Sequence, residues 1–175
     1  MYSYNYCPVC GDELGQDEID GYMRKHCKHC DFVHYINPKP AVGIIALKGR
    51  EIALIKRGVE PGKGNWSLPS GFIESDETAE EACLRELKEE TGMTGDIVQL
   101  LGVYTEEARI YGPVMVIMYL VNKLSGEMKA SDDAVDVKFV DINNVSELHF
   151  ECFNKAFRYT LEILELDSTD DMTGS

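Results

Sequence analysis

The sequence predicts an α/β domain that follows a small cysteine-rich segment. Three observations support this fold class. Two C-x-x-C pairs lie within the first 36 residues, short apolar or alternating runs follow them, and two later segments show helical periodicity. A chain of 175 residues has room for one ordinary domain and one small unit. We therefore predict a small unit at 1–36, a main domain at 37–166 and a disordered acidic tail at 167–175.

The two C-x-x-C pairs, separated by sixteen residues, are Cys7, Cys10, Cys27 and Cys30. This spacing is typical of a zinc ribbon, in which four thiolates bind a structural Zn²⁺. Zinc would supply much of the folding free energy of so short a segment. Disulfides are the alternative, but the sequence does not open with a secretory signal. His26 and His29 flank the second pair and are alternative ligands.

Strand patterns occur in both units. In the small unit, Tyr2, Tyr4 and Tyr6 alternate as strand residues do, and residues 32–35 form a second candidate strand. In the main domain the runs are apolar or alternating. The strands predicted there are 41–47, 51–57, 97–104, 114–121 and 135–140. A loop at 58–64 with three glycines is expected to lie near the substrate.

Two helices are predicted, at 78–91 and 153–166. The first is rich in Ala, Leu, Glu and Lys, with Ser75 or Asp76 as its N-cap and Gly92 as its stop. The second has one apolar face and one polar face. The main domain therefore contains two strands, a helix, three strands and a helix, in that order.

Three glutamates lie together on the first helix. Glu86 and Glu90 are one turn apart, and Glu89 is beside them. Like charges at this spacing repel one another, and partial burial increases the cost. Their oxygens suit a hard divalent cation, Mg²⁺ or Mn²⁺. An acidic helix face exposed to solvent is the alternative.

These glutamates belong to a longer motif. From Gly71 to Met93 the sequence reads Gly, five residues, Glu, seven residues, then Arg-Glu-aliphatic-any-Glu-Glu-any-Gly-aliphatic. The motif matches the signature of the Nudix hydrolases at every specified position, and the chain resembles that family. The resemblance implies an α/β/α sandwich with a mixed sheet. It also implies hydrolysis of a nucleoside diphosphate linked to another group.

The resemblance assigns roles to individual residues. The positions that match the family's metal-binding glutamates are Glu86, Glu89 and Glu90. Arg85 matches the motif arginine and is expected to hold Glu89 by an ion pair, and Glu77 matches a supporting glutamate. The carbonyl of Ser70, where many members have Gly, is expected to face a cation. Catalysis would then depend on Mg²⁺ or Mn²⁺, with water attacking one phosphorus.

The remaining site residues are less well defined. The acidic loop of Asp132, Asp133 and Asp136 either supplies a general base or is an ordinary turn. The candidates for binding substrate phosphates are Arg57, Arg109 and Lys63. The candidates for the pocket wall are Tyr35, Phe72 and Tyr111.

A ribbon ahead of the Nudix signature narrows the substrate class. NADH pyrophosphatases, which also remove NAD caps from RNA, share this arrangement. They carry a Ser-Gln-Pro-Trp-Pro-Phe-Pro segment that residues 100–113 lack. The chain is more similar to the FAD and ADP-ribose pyrophosphatase group, notably at residues 37–39 and 66–74. The predicted substrate is therefore a dinucleotide, ADP-ribose or FAD, and a non-catalytic module that senses a nucleotide is the further alternative.

The net charge and the hydrophobic pattern indicate which classes of binding partner are disfavoured. The formal net charge of −14 disfavours binding to nucleic acid or to an anionic membrane. No apolar run approaches the ~20 residues that span a bilayer, so no membrane segment is predicted. We expect a cytoplasmic protein, and the family resemblance makes a homodimer a candidate assembly.

Overall fold

A computed structural model describes residues 4–108, 110–131 and 133–170, with side chains through residue 165. Internal contacts divide the chain into two compact units, residues 1–38 and 39–175. The boundary predicted after residue 36 lies close to this division. Within the described ranges, no helix combines the length and the apolar character that crossing a bilayer requires.

The N-terminal unit is a small antiparallel sheet. Its strands, in the order β1-β2-β3, are Leu14–Ile19, Tyr22–Cys27 and Val33–His34. The strand predicted at 32–35 is confirmed as β3. The strand predicted from the alternating tyrosines is wrong: Tyr6 forms only an isolated bridge with Glu13, and Tyr2 lies outside the described residues. Asp20 and Gly21 join β1 to β2, and both have positive φ, which a tight turn requires.

The second unit is built on a mixed sheet. In the described residues its strands are β4 (Lys39–Lys48), β5 (Glu51–Arg57), β6 (Trp66–Ser67), β7 (Ser70–Phe72), β8 (Thr94–Ala108), β9 (Gly112–Ser125) and β10 (Ala134–Asp141). The main path is β10-β5-β4-β9-β8, with β6 paired to β5 and β7 paired to β4. β4 and β9 run parallel, whereas the other pairs are antiparallel. All five predicted strands are confirmed, but β6 and β7 are additional.

Two helices cover opposite faces of this sheet. The first, α1, spans Ala79–Thr91, and the second, α2, spans Glu151–Asp170. Ala82, Cys83 and Leu87 of α1 pack in one core cluster, whereas Phe153 and Phe157 of α2 pack in the other. Each helix buries its apolar stripe against the sheet, so the predicted α/β/α sandwich is confirmed.

The C-terminal helix is longer than predicted. It continues through Asp170, four residues into the segment 167–175 that the composition predicts to be disordered. Residues 171–175 lie outside the described part of the structure. The helix extends into this segment because Glu162, Leu164 and Glu165, just before it, favour helices and no proline interrupts the chain up to Asp170.

Candidate active site

Helix α1 begins and ends at well-defined caps. Its N-cap is Thr78, whose side chain accepts from the Glu81 amide while the Glu81 carboxylate accepts from the Thr78 amide. This capping box satisfies two amides at once, so the prediction of Ser75 or Asp76 as the cap is wrong. Gly92, at φ 74°, ends the helix as predicted, in a left-handed conformation that suits glycine. The glutamates of the last turns are thus held on a rigid element.

The three predicted metal-binding glutamates line one cavity of about 380 Å³. Glu86 and Glu90 are nearly buried, with 9% and 2% of their surface exposed, whereas the Glu89 side chain is 45% exposed. Because they are separated by one helical turn, Glu86 and Glu90 project from the same face. The alternative of an acidic face open to solvent is therefore wrong for this pair.

The backbone of β7 lies directly against these carboxylates. The Ser70 amide donates to Oε2 of Glu90 at 2.8 Å. A Cβ atom added at Gly71 would overlap the carboxylate of Glu86. Glycine at this position therefore leaves space for a charged group beside the backbone. The predicted role of the Ser70 carbonyl as a cation ligand stays a prediction, although Ser70 lines the same cavity.

Arg85 connects the glutamates to one another. Its guanidinium donates to both oxygens of Glu77 at 2.6 and 2.9 Å and to Oε1 of Glu86 at 2.7 Å. The predicted contact with Glu89 is present at 2.9 Å, and a further bond reaches the Phe72 carbonyl at 3.0 Å. The bonds from Arg85 lower the pKa of Glu77 to about 2, and the same contacts raise the pKa of Arg85, with Glu77 the largest cause. Arg85 thus fixes the carboxylates in one arrangement.

We expect Arg85→Lys to lower kcat roughly 10- to 100-fold, the range typical for residues that orient metal ligands. A lysine ammonium lacks the planar fork that reaches Glu77, Glu86 and Glu89 together. Steady-state kinetics with the matched control Lys88→Gln, which removes an exposed cation from the same helix, measure the effect. An unchanged kcat in Arg85→Lys would show that this network does not support the site.

The electrostatics of the cavity favour a bound cation. Burial, together with the charges of Glu86 and Asp133, raises the pKa of Glu90 to about 8, against the opposing effects of the Ser70 amide and Arg57. A divalent cation would remove this penalty, because it is attracted to the ionised form. Carboxylate oxygens are also the ligands that Mg²⁺ and Mn²⁺ prefer. The residues present therefore fit a divalent metal site.

Aromatic and cationic side chains form the rest of the cavity. Arg57 lies over the Phe150 ring at 5.4 Å, and its Nε donates to the Pro61 carbonyl at 2.7 Å. On another side, the rings of Phe72 and Tyr111 meet edge to face, with centroids 5.2 Å apart. The cavity thus combines an acidic region with apolar surfaces that suit a nucleobase or a sugar.

The structure shows which of the other predicted site residues line the cavity. Arg57, Phe72, Tyr111 and Asp133 line the cavity. Lys63 and Asp136 are absent from the described lining, and Tyr35 belongs to the N-terminal unit. Arg109 and Asp132 lie outside the described residues.

Several cavity residues were not predicted. They are Glu106, Phe150, Cys152 and Phe153, whereas Val59 and Pro61 belong to the loop at 58–64 that is expected to lie near the substrate. Glu106 accepts from the Cys152 amide at 3.1 Å, which ties β8 to the first turn of α2. Phe150 precedes α2 and accepts at its carbonyl from Phe153 and Asn154. No local sequence motif predicts these positions, because the residues come together only when distant segments of the chain pair.

The four ribbon cysteines lie together in the N-terminal unit. Their Sγ atoms are all within 4.8 Å of one another, and all six cysteines of the chain are free thiols, which excludes the disulfide alternative for this structure. His26 Nε2 is 2.6 Å from Asp17 Oδ2, and His29 Nδ1 is 3.5 Å from Asp12 Oδ2. Both histidines thus have carboxylate partners, and the cluster comprises the four cysteines. Four thiols at these distances fit a structural metal site.

A mixed sheet between two helices, with helix glutamates at one cavity, defines an α/β protein with a candidate divalent-metal site. The family model for the NUDIX domain matches residues 37–159 of this chain. The chain belongs to the Nudix hydrolase family.

Two relatives are similar to this chain over most of its length. A relative from Methanocaldococcus jannaschii, named ADP-ribose pyrophosphatase, is 45% identical over 134 residues, which cover 74% of this chain and 79% of the relative. A relative from Vibrio vulnificus, named NAD-capped RNA hydrolase NudC, is 25% identical over 142 residues, which cover 80% of this chain and 52% of that protein. This chain therefore spans about half the length of the second relative.

Solved structures agree with the fold. A NUDIX hydrolase from Nitrosomonas europaea has a TM-score of 0.77 at 25% identity, covering 87% of this chain and 88% of that one. A bifunctional NMN adenylyltransferase/ADP ribose pyrophosphatase from Francisella tularensis, complexed with AMP and a Mn ion, has a TM-score of 0.64 at 27% identity. That similarity covers 73% of this chain and 42% of the Francisella protein.

Proposed function

We propose that this enzyme hydrolyses the pyrophosphate bond of ADP-ribose, or of a related dinucleotide such as FAD, and releases AMP. The observation that carries the proposal is the convergence of Glu86, Glu89 and Glu90 on one cavity, where Arg85 holds the first two carboxylates and the Ser70 amide donates to the third. The Methanocaldococcus relative, named ADP-ribose pyrophosphatase, supports this substrate.

The chain's own residues perform distinct tasks in this reaction. Glu86, Glu89 and Glu90 would hold Mg²⁺ or Mn²⁺, which when bound neutralises phosphate charge and increases the acidity of water. Arg57 presents a positive charge at the same cavity and would attract the pyrophosphate. Asp133 also lines the cavity and is the candidate to accept the proton of the attacking water.

Two alternatives make different predictions. NADH and NAD-capped RNA are supported by the relative named NudC, but the proline-rich segment of that group is missing after the signature. A non-catalytic sensor would bind nucleotide without turnover. Three carboxylates on one cavity favour catalysis over sensing, because a sensor does not need the metal charge that phosphoryl transfer requires.

A substrate panel tests the proposal. ADP-ribose, FAD and NADH are incubated with enzyme and Mg²⁺, and AMP is quantified by chromatography. We expect AMP from ADP-ribose or FAD, and loss of turnover when a chelator removes the metal. Brisk turnover of NADH with none of ADP-ribose or FAD would overturn the substrate assignment, and binding without any turnover would favour the sensor.

The cysteine cluster is proposed to bind structural Zn²⁺. We expect one zinc per chain by mass spectrometry of protein purified without chelator, and less than one in Cys10→Ser, because that variant loses a thiolate ligand. Cys83→Ala is the matched control, since Cys83 is buried on α1, in the other unit. Wild-type protein with less than one zinc would contradict the assignment. The cytoplasmic location and the homodimer stay predictions.

A further inference from the structure

A lysine ammonium lies over two aromatic rings that line the cavity. Lys39 is the first residue of β4, and its Nζ is 5.3 Å from the centroid of the Tyr111 ring and 5.9 Å from that of Phe72. The strand pairing brings these residues together: β7 places Phe72 opposite Ala41, and Tyr111 immediately precedes β9, which pairs with β4. These three residues are named here the Lys39 cluster.

The charge of Lys39 differs from the other positive charges near the cavity. Arg85 is bonded to three carboxylates, and Arg57 donates to the Pro61 carbonyl. Among the described residues, the ammonium of Lys39 lies over these two rings and forms no ion pair. A cation over aromatic rings keeps its full charge and its N–H donors. Within the part of the chain that the structure describes, no ion pair therefore compensates the positive charge of Lys39.

The Lys39 cluster adjoins the proposed metal site. Phe72 follows Gly71, the residue packed against Glu86, and its carbonyl accepts from Arg85 at 3.0 Å. A pyrophosphate held at the glutamates would place one of its two attached groups beside the rings of Phe72 and Tyr111. An aromatic group there would stack on the rings within a few ångströms of the ammonium of Lys39.

We propose that Lys39 is a specificity-determining residue that selects substrates by the charge of the ring or sugar beyond the pyrophosphate. An uncharged group gains stacking and hydrogen bonds at the Lys39 cluster, whereas a cationic ring meets an uncompensated like charge at short range. The inference rests on the proposed function, since it concerns the second half of a dinucleotide bound at the same cavity.

NADH and NAD⁺ test this inference as a matched pair, because the nicotinamide ring is neutral in the first and cationic in the second. Each is measured as an inhibitor of ADP-ribose hydrolysis in Mg²⁺, where a competing substrate inhibits with its own KM. For the wild type we expect the inhibition constant of NADH to be roughly tenfold lower than that of NAD⁺. Lys39→Gln should reduce this ratio to near one, and Lys39→Arg should keep it.

Lys48→Gln is the control for nonspecific loss of charge. Lys48 is exposed at the opposite end of β4, and its ammonium also lies over an aromatic ring, that of Phe139 at 5.3 Å. We expect this variant to keep the wild-type ratio. A ratio that is equal in wild type and Lys39→Gln, or no inhibition by NADH, would overturn the inference.

The rate of ADP-ribose hydrolysis separates the two proposals. If wild type hydrolyses ADP-ribose but the ratio does not depend on Lys39, the proposed function stands and the role of Lys39 fails. If neither ADP-ribose nor FAD is hydrolysed, the proposed function fails. Calorimetric Kd values for NADH and NAD⁺ in Mg²⁺ then replace the inhibition constants, and the same comparison of variants decides the role of Lys39.

Discussion

Replacing Glu86 or Glu90 by glutamine is expected to lower kcat by about 10²–10³-fold or more, the loss typical when an electrostatic element of a catalytic site is removed. Glutamine preserves the size of the side chain but removes the negative charge that would bind a divalent cation. Both carboxylates are nearly buried and lie against the β7 backbone, so their positions are fixed. Initial rates of ADP-ribose hydrolysis in saturating Mg²⁺ measure the effect.

The same variants must remain folded for this result to concern catalysis. Glu80→Gln is the matched control, because Glu80 lies on the same helix and accepts from the Tyr119 hydroxyl outside the cavity lining. We expect near-wild-type rates for it. A near-wild-type rate in Glu86→Gln or Glu90→Gln would remove that residue from the catalytic centre.

Thermal melting of the metal-free proteins adds a check with a defined sign. Burial raises the pKa of Glu90 to about 8, above the ordinary value of 4.5, so the fold disfavours the ionised form. The stability that Glu90 contributes is fully present below pH 4.5 and is lost as the pH rises through about 8. In chelator at pH 9, Glu90→Gln should therefore melt at a temperature no lower than wild type. A large decrease in Tm would show that the carboxylate is needed for folding.

The sequence was informative where one local pattern determines the structure. The helix with Glu86 and Glu90 follows from composition and from a spacing of four residues, which places both on one face. The five longer strands follow from runs of apolar or alternating residues. The prediction of the N-cap residue was wrong because Ser75, Asp76 and Thr78 all belong to residue types that cap helices well. The reciprocal contact with Glu81 selects Thr78.

The remaining features depend on contacts between distant segments. Strand β7 has three residues, too few for a periodic pattern, and it forms by pairing with β4 about thirty residues earlier. The contact of Arg85 with Glu77 requires the chain before α1 to turn back toward the helix. The position of Phe150 in the cavity lining depends on where α2 begins, because Phe150 directly precedes this helix. Sequence patterns therefore identify the glutamates of α1 but not the residues that form the cavity around them.

Gly71→Ala is the second large effect that we expect, a loss of ~10²-fold in kcat, the scale produced by displacing a catalytic group by about 1 Å. The added Cβ would overlap the carboxylate of Glu86, so this carboxylate must move. Because Arg85 donates to the same carboxylate, the movement would also disturb that hydrogen bond. The backbone of Gly71 does not have positive φ and it lies in β7, so alanine is compatible with its conformation. The loss would therefore come from the position of Glu86 rather than from the strand.

Ser70→Ala provides the comparison for Gly71→Ala. It changes the preceding residue of β7 but keeps the backbone amide that donates to Glu90 and the carbonyl predicted to face a cation. We expect Ser70→Ala to keep kcat within about twofold of wild type, because it removes one hydroxyl and keeps both backbone groups. If Gly71→Ala matched Ser70→Ala in kcat and in the Mg²⁺ concentration for half-maximal rate, the contact between Gly71 and Glu86 would not constrain the metal site. A fall in kcat with a raised Mg²⁺ requirement in Gly71→Ala alone would locate the constraint at that contact, because only this variant displaces a proposed metal ligand.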